Sequence, residues 1–153
     1  MNDRENIIAS LKSFFEKMSR QYGVEMAFLY GSWVRGFPRP DSDVDVALLF
    51  SDSSLSEEEY FPQICDISLR LSELLNLEVN VIQIHESFDR PVLYYNAIVL
   101  GVSVYVSNLD KYIRVTNEAL YQMEDYSIFG LGWQREVTRR NLEATRNARV
   151  AIR

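Results

Sequence analysis

The stretch Gly31-Ser32-Trp33-Val34-Arg35-Gly36-Phe37-Pro38-Arg39-Pro40-Asp41-Ser42-Asp43-Val44-Asp45 decides how this 153-residue chain is read. One apolar run, Val24 to Tyr30, leads into its Gly-Ser pair, and a second, Val44 to Phe50, starts between its two aspartates. Short apolar runs bounded by breakers read as buried strands. Gly31 ends the first strand, Ser32 opens a short helical turn, and Pro38 and Pro40 mark a loop. The ten-residue spacer must return the chain so that the second strand pairs beside the first. Asp43 and Asp45 then face the Gly-Ser turn.

The residue types in that layout suit one chemistry. Positions i and i+2 of a strand point to the same face, with Cα atoms about 7 Å apart. The carboxylates of Asp43 and Asp45 can therefore lean onto one Mg²⁺ or bridge a pair of ions. Mg²⁺ favours one or two carboxylates completed by substrate phosphates and water. Val44, between them, points into the core and fixes the strand's orientation. Gly31 lets the backbone turn tightly and lets a phosphate approach with no Cβ in the way. A helix start at Ser32 exposes N–H groups that bind phosphate oxygens. The Ser32 hydroxyl adds a donor, and Arg35 lies one turn further on, within guanidinium reach of a phosphate. The bland alternative is a Pro-rich polar loop with a capping serine and ordinary turn aspartates.

Outward from this stretch, helices alternate with strands. Ile7, Ile8, Leu11, Phe14, Phe15, Met18 and Tyr22 form one stripe at helical spacing, so a first helix is expected from a cap at Asp3 to about Tyr22, with Gly23 ending it. Ser56 and Glu59 have capping-box spacing. A helix is expected after them to about Leu75, with Ile64, Ile67, Leu71, Leu74 and Leu75 inward, Pro62 kinking its start or marking its first turn, and Asn76 ending it. Glu78 to Ile84 reads as a third strand. Ser87 is the expected cap of a helix carrying Pro91 in its first turns and stopped by Gly101; Val102 to Val106 is a short fourth strand. From Leu109 onward the chain reads helical, with a break or kink at Gly130 and Gly132. The class is α/β with a small central sheet.

Composition bounds the function. Apolar residues make up 47% and charged residues 25%, values of an ordinary globular domain. The length suits one domain, residues 1–153, with its core at about 24–106 and a helical extension at about 109–153. No apolar run is long enough for a membrane span, and the first residues lack a signal-peptide layout, so a cytoplasmic protein with no membrane partner is expected. A single cysteine, Cys65, and a single histidine, His85, exclude an internal disulfide and Cys- or His-cluster zinc sites. Cys65 reads as a buried small apolar residue and His85 as a surface or hydrogen-bonding residue. The net charge is −6, but residues 133–153 hold six arginines and two glutamates, +4, leaving −10 for the rest. An acidic body argues against direct nucleic-acid binding and favours a small anion escorted by metal, or a basic protein partner. The Arg-rich end reads as a solvated helix face or a frayed terminus. Trp33 either stacks on a ligand or covers core, and Tyr94, Tyr95, Tyr121 and Tyr126 pack on helices or form a partner face.

The Gly-Ser, ten-residue spacer and Asp-x-Asp resemble the nucleotidyltransferase superfamily that includes DNA polymerase beta. The wording Gly-Ser-Trp-Val-Arg-Gly…Ser-Asp-Val-Asp-Val looks most like the minimal nucleotidyltransferases, the MntA-like antitoxins. Ile98-Val99-Leu100-Gly101-Val102-Ser103-Val104-Tyr105 also looks like that family's helix-to-strand end. The resemblance implies a nucleotidyltransferase fold, a small mixed sheet flanked by helices. It implies an enzyme that transfers AMP from ATP, with Mg²⁺, to a tyrosine hydroxyl of a HEPN-domain RNase toxin and so acts as its antitoxin. Gly31, Ser32 and Arg35 would bind the nucleotide, and Asp43 and Asp45 the metal.

One departure touches catalysis. The superfamily places a third carboxylate on a later strand, and Val79-Asn80-Val81-Ile82 has Asn80 at that position. An amide is neutral and cannot take the proton of an attacking hydroxyl. Glu78 shares its strand parity but sits about 7 Å along. Two rival readings therefore stand beside transfer to a toxin: a degenerate enzyme that neutralises its partner by binding alone, and a transferase for a small molecule.

Overall fold

In a computed structural model that describes residues 3–36, 38–52 and 55–152, the elements follow the order read from the sequence. They are α1 (Asp3–Tyr22), β1 (Val24–Tyr30), α2 (Ser32–Arg35), β2 (Val44–Phe50), α3 (Glu57–Leu75), β3 (Val79–Gln83), α4 (Pro91–Ile98), β4 (Val102–Val106), α5 (Leu109–Asp125), a π-helical turn (Tyr126–Gly130) and α6 (Leu131–Ile152). The strands form one mixed sheet in the order β3-β2-β1-β4. β1 runs antiparallel to both β2 and β4, while β2 and β3 are parallel. That parallel pair is why a whole helix, α3, lies between them: a tight turn cannot return a chain to the same direction.

Each strand is apolar because both faces of the sheet are covered. On one face Ala27, Leu29, Val46, Leu48 and Phe50 pack with Ile7, Leu11 and Phe15 of α1 and Ile67 and Leu71 of α3. On the other, Met26, Phe28, Ala47 and Leu49 pack with Tyr94 and Ala97 of α4 and Val115 and Ala119 of α5. A register shift between Val24 and Met26 puts two β1 steps against one β2 step, so Val24 joins the α1–α3 cluster while Met26 joins the other. Each fully buried Leu or Phe contributes about 2 kcal/mol of transfer free energy, which makes these two layers the main stabilising term.

The departures from the sequence reading are local. The capping box at Ser56 and Glu59 forms with both hydrogen bonds and fixes the start of α3 at Glu57, so Pro62 lies inside the helix rather than in its first turn. Leu74 is not inward: it is 54% exposed in the last turn, where Leu75 takes the packed position. Cys65 is exposed, because it shares the outward face of α3 with Phe61 and Leu69. Ser87 does not cap α4. That helix starts at Pro91, whose fixed φ and missing N–H suit a first helical position, and Arg90 precedes it with no side-chain cap. Tyr94 is buried as a packing residue, but Tyr121 is largely exposed.

α6 leaves the body by way of the π-helical turn and is solvated along most of its length. Arg139 pairs with Glu136 and Glu143, each at 2.6 Å, and Arg140 with Glu136 at 3.1 Å. Such exposed i,i+3 and i,i+4 pairs are screened by solvent and add little to stability. Among the described residues no helix is long and apolar enough to cross a membrane.

Candidate active site

The site forms where β1 ends and β2 and β3 begin. Gly31 has φ 81° and ψ −150°, a backbone region that essentially only glycine occupies. Its carbonyl accepts from Val34 N–H at 3.0 Å and Arg35 N–H at 3.1 Å, closing the single turn of α2. The N–H groups of Ser32 and Trp33 precede the first intrahelical bond and so have no acceptor within that helix.

Registry places the acidic residues. Asp45 is directly opposite Tyr30 on β1 and opposite Asn80 on β3. Alternation puts Asp43, Asp45 and Asn80 on the α4–α5 face, just past its apolar cluster. A Cβ built on Gly31 would lie 2.3 Å from Asp45 Oδ2, so the carboxylate sits against the glycine turn. The Asn80 amide Nδ2 donates to Asp43 Oδ2 at 3.4 Å and Asp45 Oδ1 at 3.5 Å, both long contacts. Asn80 therefore stands beside both aspartates in space.

The electrostatics follow from the packing. Burial pushes the Asp45 carboxyl above its ordinary value; the Asn80 amide acts against this, and the neighbouring Asp43 charge adds to it. Burial, and then the charge of Asp45, push the Tyr30 hydroxyl up to about 12, so it stays a neutral donor. The two carboxylates make a hard donor pair with excess negative charge, which fits a cation brought in with phosphates. Among the described residues no three His, Cys, Asp or Glu side chains gather as a self-sufficient metal cage.

The structure therefore brings together Gly31, Ser32, Asp43, Asp45 and Asn80. Arg35 ends α2 with an exposed side chain and makes no hydrogen bond or ion pair to the others among the described residues. Sequence reasoning left Trp33 undecided and did not single out Tyr30 or Ser42. The Trp33 indole is buried, and its Nε1–H donates to the Ser42 carbonyl at 2.9 Å. Ser42 Oγ accepts from the Arg39 N–H at 2.8 Å. The signal available for Trp33 was its helical spacing from the strand end; nothing local identified the carbonyl it reaches. His85 stays at the far end of β3, its Nε2 3.8 Å from Glu57 Oε2. A separate hollow of about 730 Å³, beside Lys111 and Glu86, contains none of the site residues.

Comparison with known proteins bears on the fold. Three solved toxin–antitoxin structures share the fold. One is a toxin–antitoxin with AMP-PNP, at 16% identity and TM-score 0.64, covering 83% of this chain and 98% of the other. Another is a tri-AMPylated Shewanella oneidensis HEPN toxin in complex with MNT antitoxin, at 14% identity and TM-score 0.61, covering 86% and 98%. A third is an MntA–HepT toxin–antitoxin, at 14% identity and TM-score 0.60, covering 84% and 97%. No curated protein matches the sequence significantly. The family model for polymerase beta-type nucleotidyltransferases matches residues 10–110, well over half of the chain and the whole of the sheet. The chain belongs to the polymerase beta nucleotidyltransferase family.

Proposed function

We propose that this chain is the antitoxin of a HEPN-type RNase toxin and silences it by moving AMP from ATP to a tyrosine hydroxyl. The observation that carries the reading is the contact between the Gly31 turn and the Asp45 carboxylate, with Asp43 two residues earlier, immediately before β2. Support for the partner comes from the fold neighbours, which are toxin–antitoxin pairs, one of them with an AMPylated HEPN toxin. In the reaction the tyrosine oxygen bonds to the α-phosphorus, the bond from that phosphorus to the bridging oxygen breaks, and pyrophosphate leaves with those electrons.

The residues divide the work. The N–H groups at the start of α2 and the Ser32 hydroxyl hold phosphate oxygens; Arg35 is the flexible cation at the rim. Asp43 and Asp45 hold Mg²⁺. When bound, that ion neutralises charge developing on the transferred phosphoryl group. Asn80 orients both carboxylates but cannot take the tyrosine proton, which leaves to solvent. This slows transfer relative to a site with three carboxylates. The same observation favours a second reading, in which the protein inhibits its toxin by binding alone.

Co-expression with the toxin separates the two readings by intact mass. AMP-sized increments on the toxin, lost in the Asp43→Ala, Asp45→Ala double variant, support transfer. An unmodified but inhibited toxin supports binding alone. Labelling by the double variant at the wild-type level would refute the assigned roles.

A further inference from the structure

We infer that Trp33 is a positioning residue that couples the phosphate-facing turn to the metal-facing strand; this rests on the reading of the site given above. Asp43 itself lies outside β2, one residue before the strand's first hydrogen-bonded position. On its C-terminal side it is fixed by the Val44 N–H, which donates to the Glu78 carbonyl at 2.8 Å. On its N-terminal side the fixed point is Ser42, whose carbonyl accepts the Trp33 indole N–H at 2.9 Å. The loop cannot supply that anchor alone. Its own bonds, Arg39 N–H to Ser42 Oγ and Ser42 N–H to the Arg39 carbonyl, make a turn that moves as a unit.

Trp33 is held rigidly enough to serve. It is 3% exposed, follows Ser32 in α2, and packs in the α1–α3 cluster beside Val44. A single side chain thus joins the helix that presents Ser32 to the peptide that presents Asp43. A buried aromatic of any kind would cover this core; only one with a ring N–H ties the loop.

The test uses Trp33→Phe, which keeps a buried ring and removes the donor. Val115→Ala, on the opposite face of the sheet, serves as a control for general destabilisation. Uptake of Mn²⁺ with ATP is followed by electron paramagnetic resonance, and backbone exchange at residues 39–44 by hydrogen–deuterium mass spectrometry. Losing one such hydrogen bond corresponds to about a fivefold change. The Trp33→Phe protein should need about five times more Mn²⁺ for half-saturation and exchange about five times faster across 39–44. Val115→Ala should melt earlier with neither effect. Unchanged exchange in Trp33→Phe, or an equal loss of Mn²⁺ uptake in Val115→Ala, overturns the inference. If wild-type protein takes up no Mn²⁺ with ATP, the reading of the site fails instead. The exchange measurement then decides alone whether Trp33 holds the loop.

Discussion

Replacing Asn80 with Asp adds a third carboxylate beside Asp43 and Asp45, and its consequences can be worked from the distances. The Asn80 amide lies 3.4 Å from an Asp43 oxygen and 3.5 Å from an Asp45 oxygen. Asn80 and Asp43 are exposed, so the dielectric is close to that of water. Each new like-charge pair then costs about 1 kcal/mol, and the two together about 2 kcal/mol. For a chain of this length that lowers the melting temperature by about 4–8 °C in chelator at pH 7. The loss should shrink in acid. A carboxylate whose folded pKa is raised binds more protons folded than unfolded, so it weakens the fold as pH rises from 3.8 through its raised value. Asp45 already behaves this way, from burial first and the Asp43 charge as well, opposed by the Asn80 amide. Asn80→Asp removes the opposing donor and widens the window. Saturating Mg²⁺ should reverse the order, making the variant more stable than wild type, and AMP transfer should rise about 100-fold. Scanning calorimetry in chelator and in Mg²⁺, at pH 4 and pH 7, reads the first three effects; toxin mass against time reads the last. Equal melting of variant and wild type in chelator, with equal responses to Mg²⁺, refutes the placement of Asn80 beside the aspartates.

Two further perturbations probe the frame. Gly31→Ala combines a positive φ with a Cβ 2.3 Å from Asp45 Oδ2. It should cost about 1–3 kcal/mol and abolish Mg-dependent ATP uptake, and wild-type affinity by calorimetry would contradict the glycine's assigned contact. Lys111 joins α5 to the sheet, with Glu25 at 2.7 Å and Glu86 at 3.4 Å. Lys111→Ala leaves Glu25 poorly solvated and should cost about 2–3 kcal/mol in chemical denaturation while leaving ATP uptake unchanged. Burial presses the Lys111 ammonium down, but the two glutamates hold it above its ordinary 10.5. Its contribution is therefore complete below pH 10.5 and disappears as pH rises through the raised value, which denaturation at pH 9 and above pH 11 checks.

Much of the architecture was legible because it rests on local signals. The stripe from Ile7 to Tyr22, the Ser56–Glu59 box and the Gly31 break each act within a few residues, and the structure has an element for each. The misreadings arose where a neighbour, not the sequence window, decided. Ser87 has the right chemistry for a cap but lost to Pro91, which sets its own φ. Leu74 and Leu75 both fit the inward stripe of α3, and only packing against the α1–α3 cluster distinguished Leu75 as the covered one. Cys65 has the composition of a core residue on the face of a helix that meets water.

By itself the sequence determined the alternation of helices and strands, the Gly-Ser and Asp-x-Asp pairing, and a neutral amide, Asn80, on the third strand. These depend on residue type and short spacing. Tertiary structure alone decided that Asn80 stands beside Asp45, because that contact requires the parallel registry of β2 with β3 across a nineteen-residue helix. It alone decided that the Trp33 indole reaches the Ser42 carbonyl, because a hydrogen bond across a loop depends on the path of the chain, and residue spacing does not specify a path.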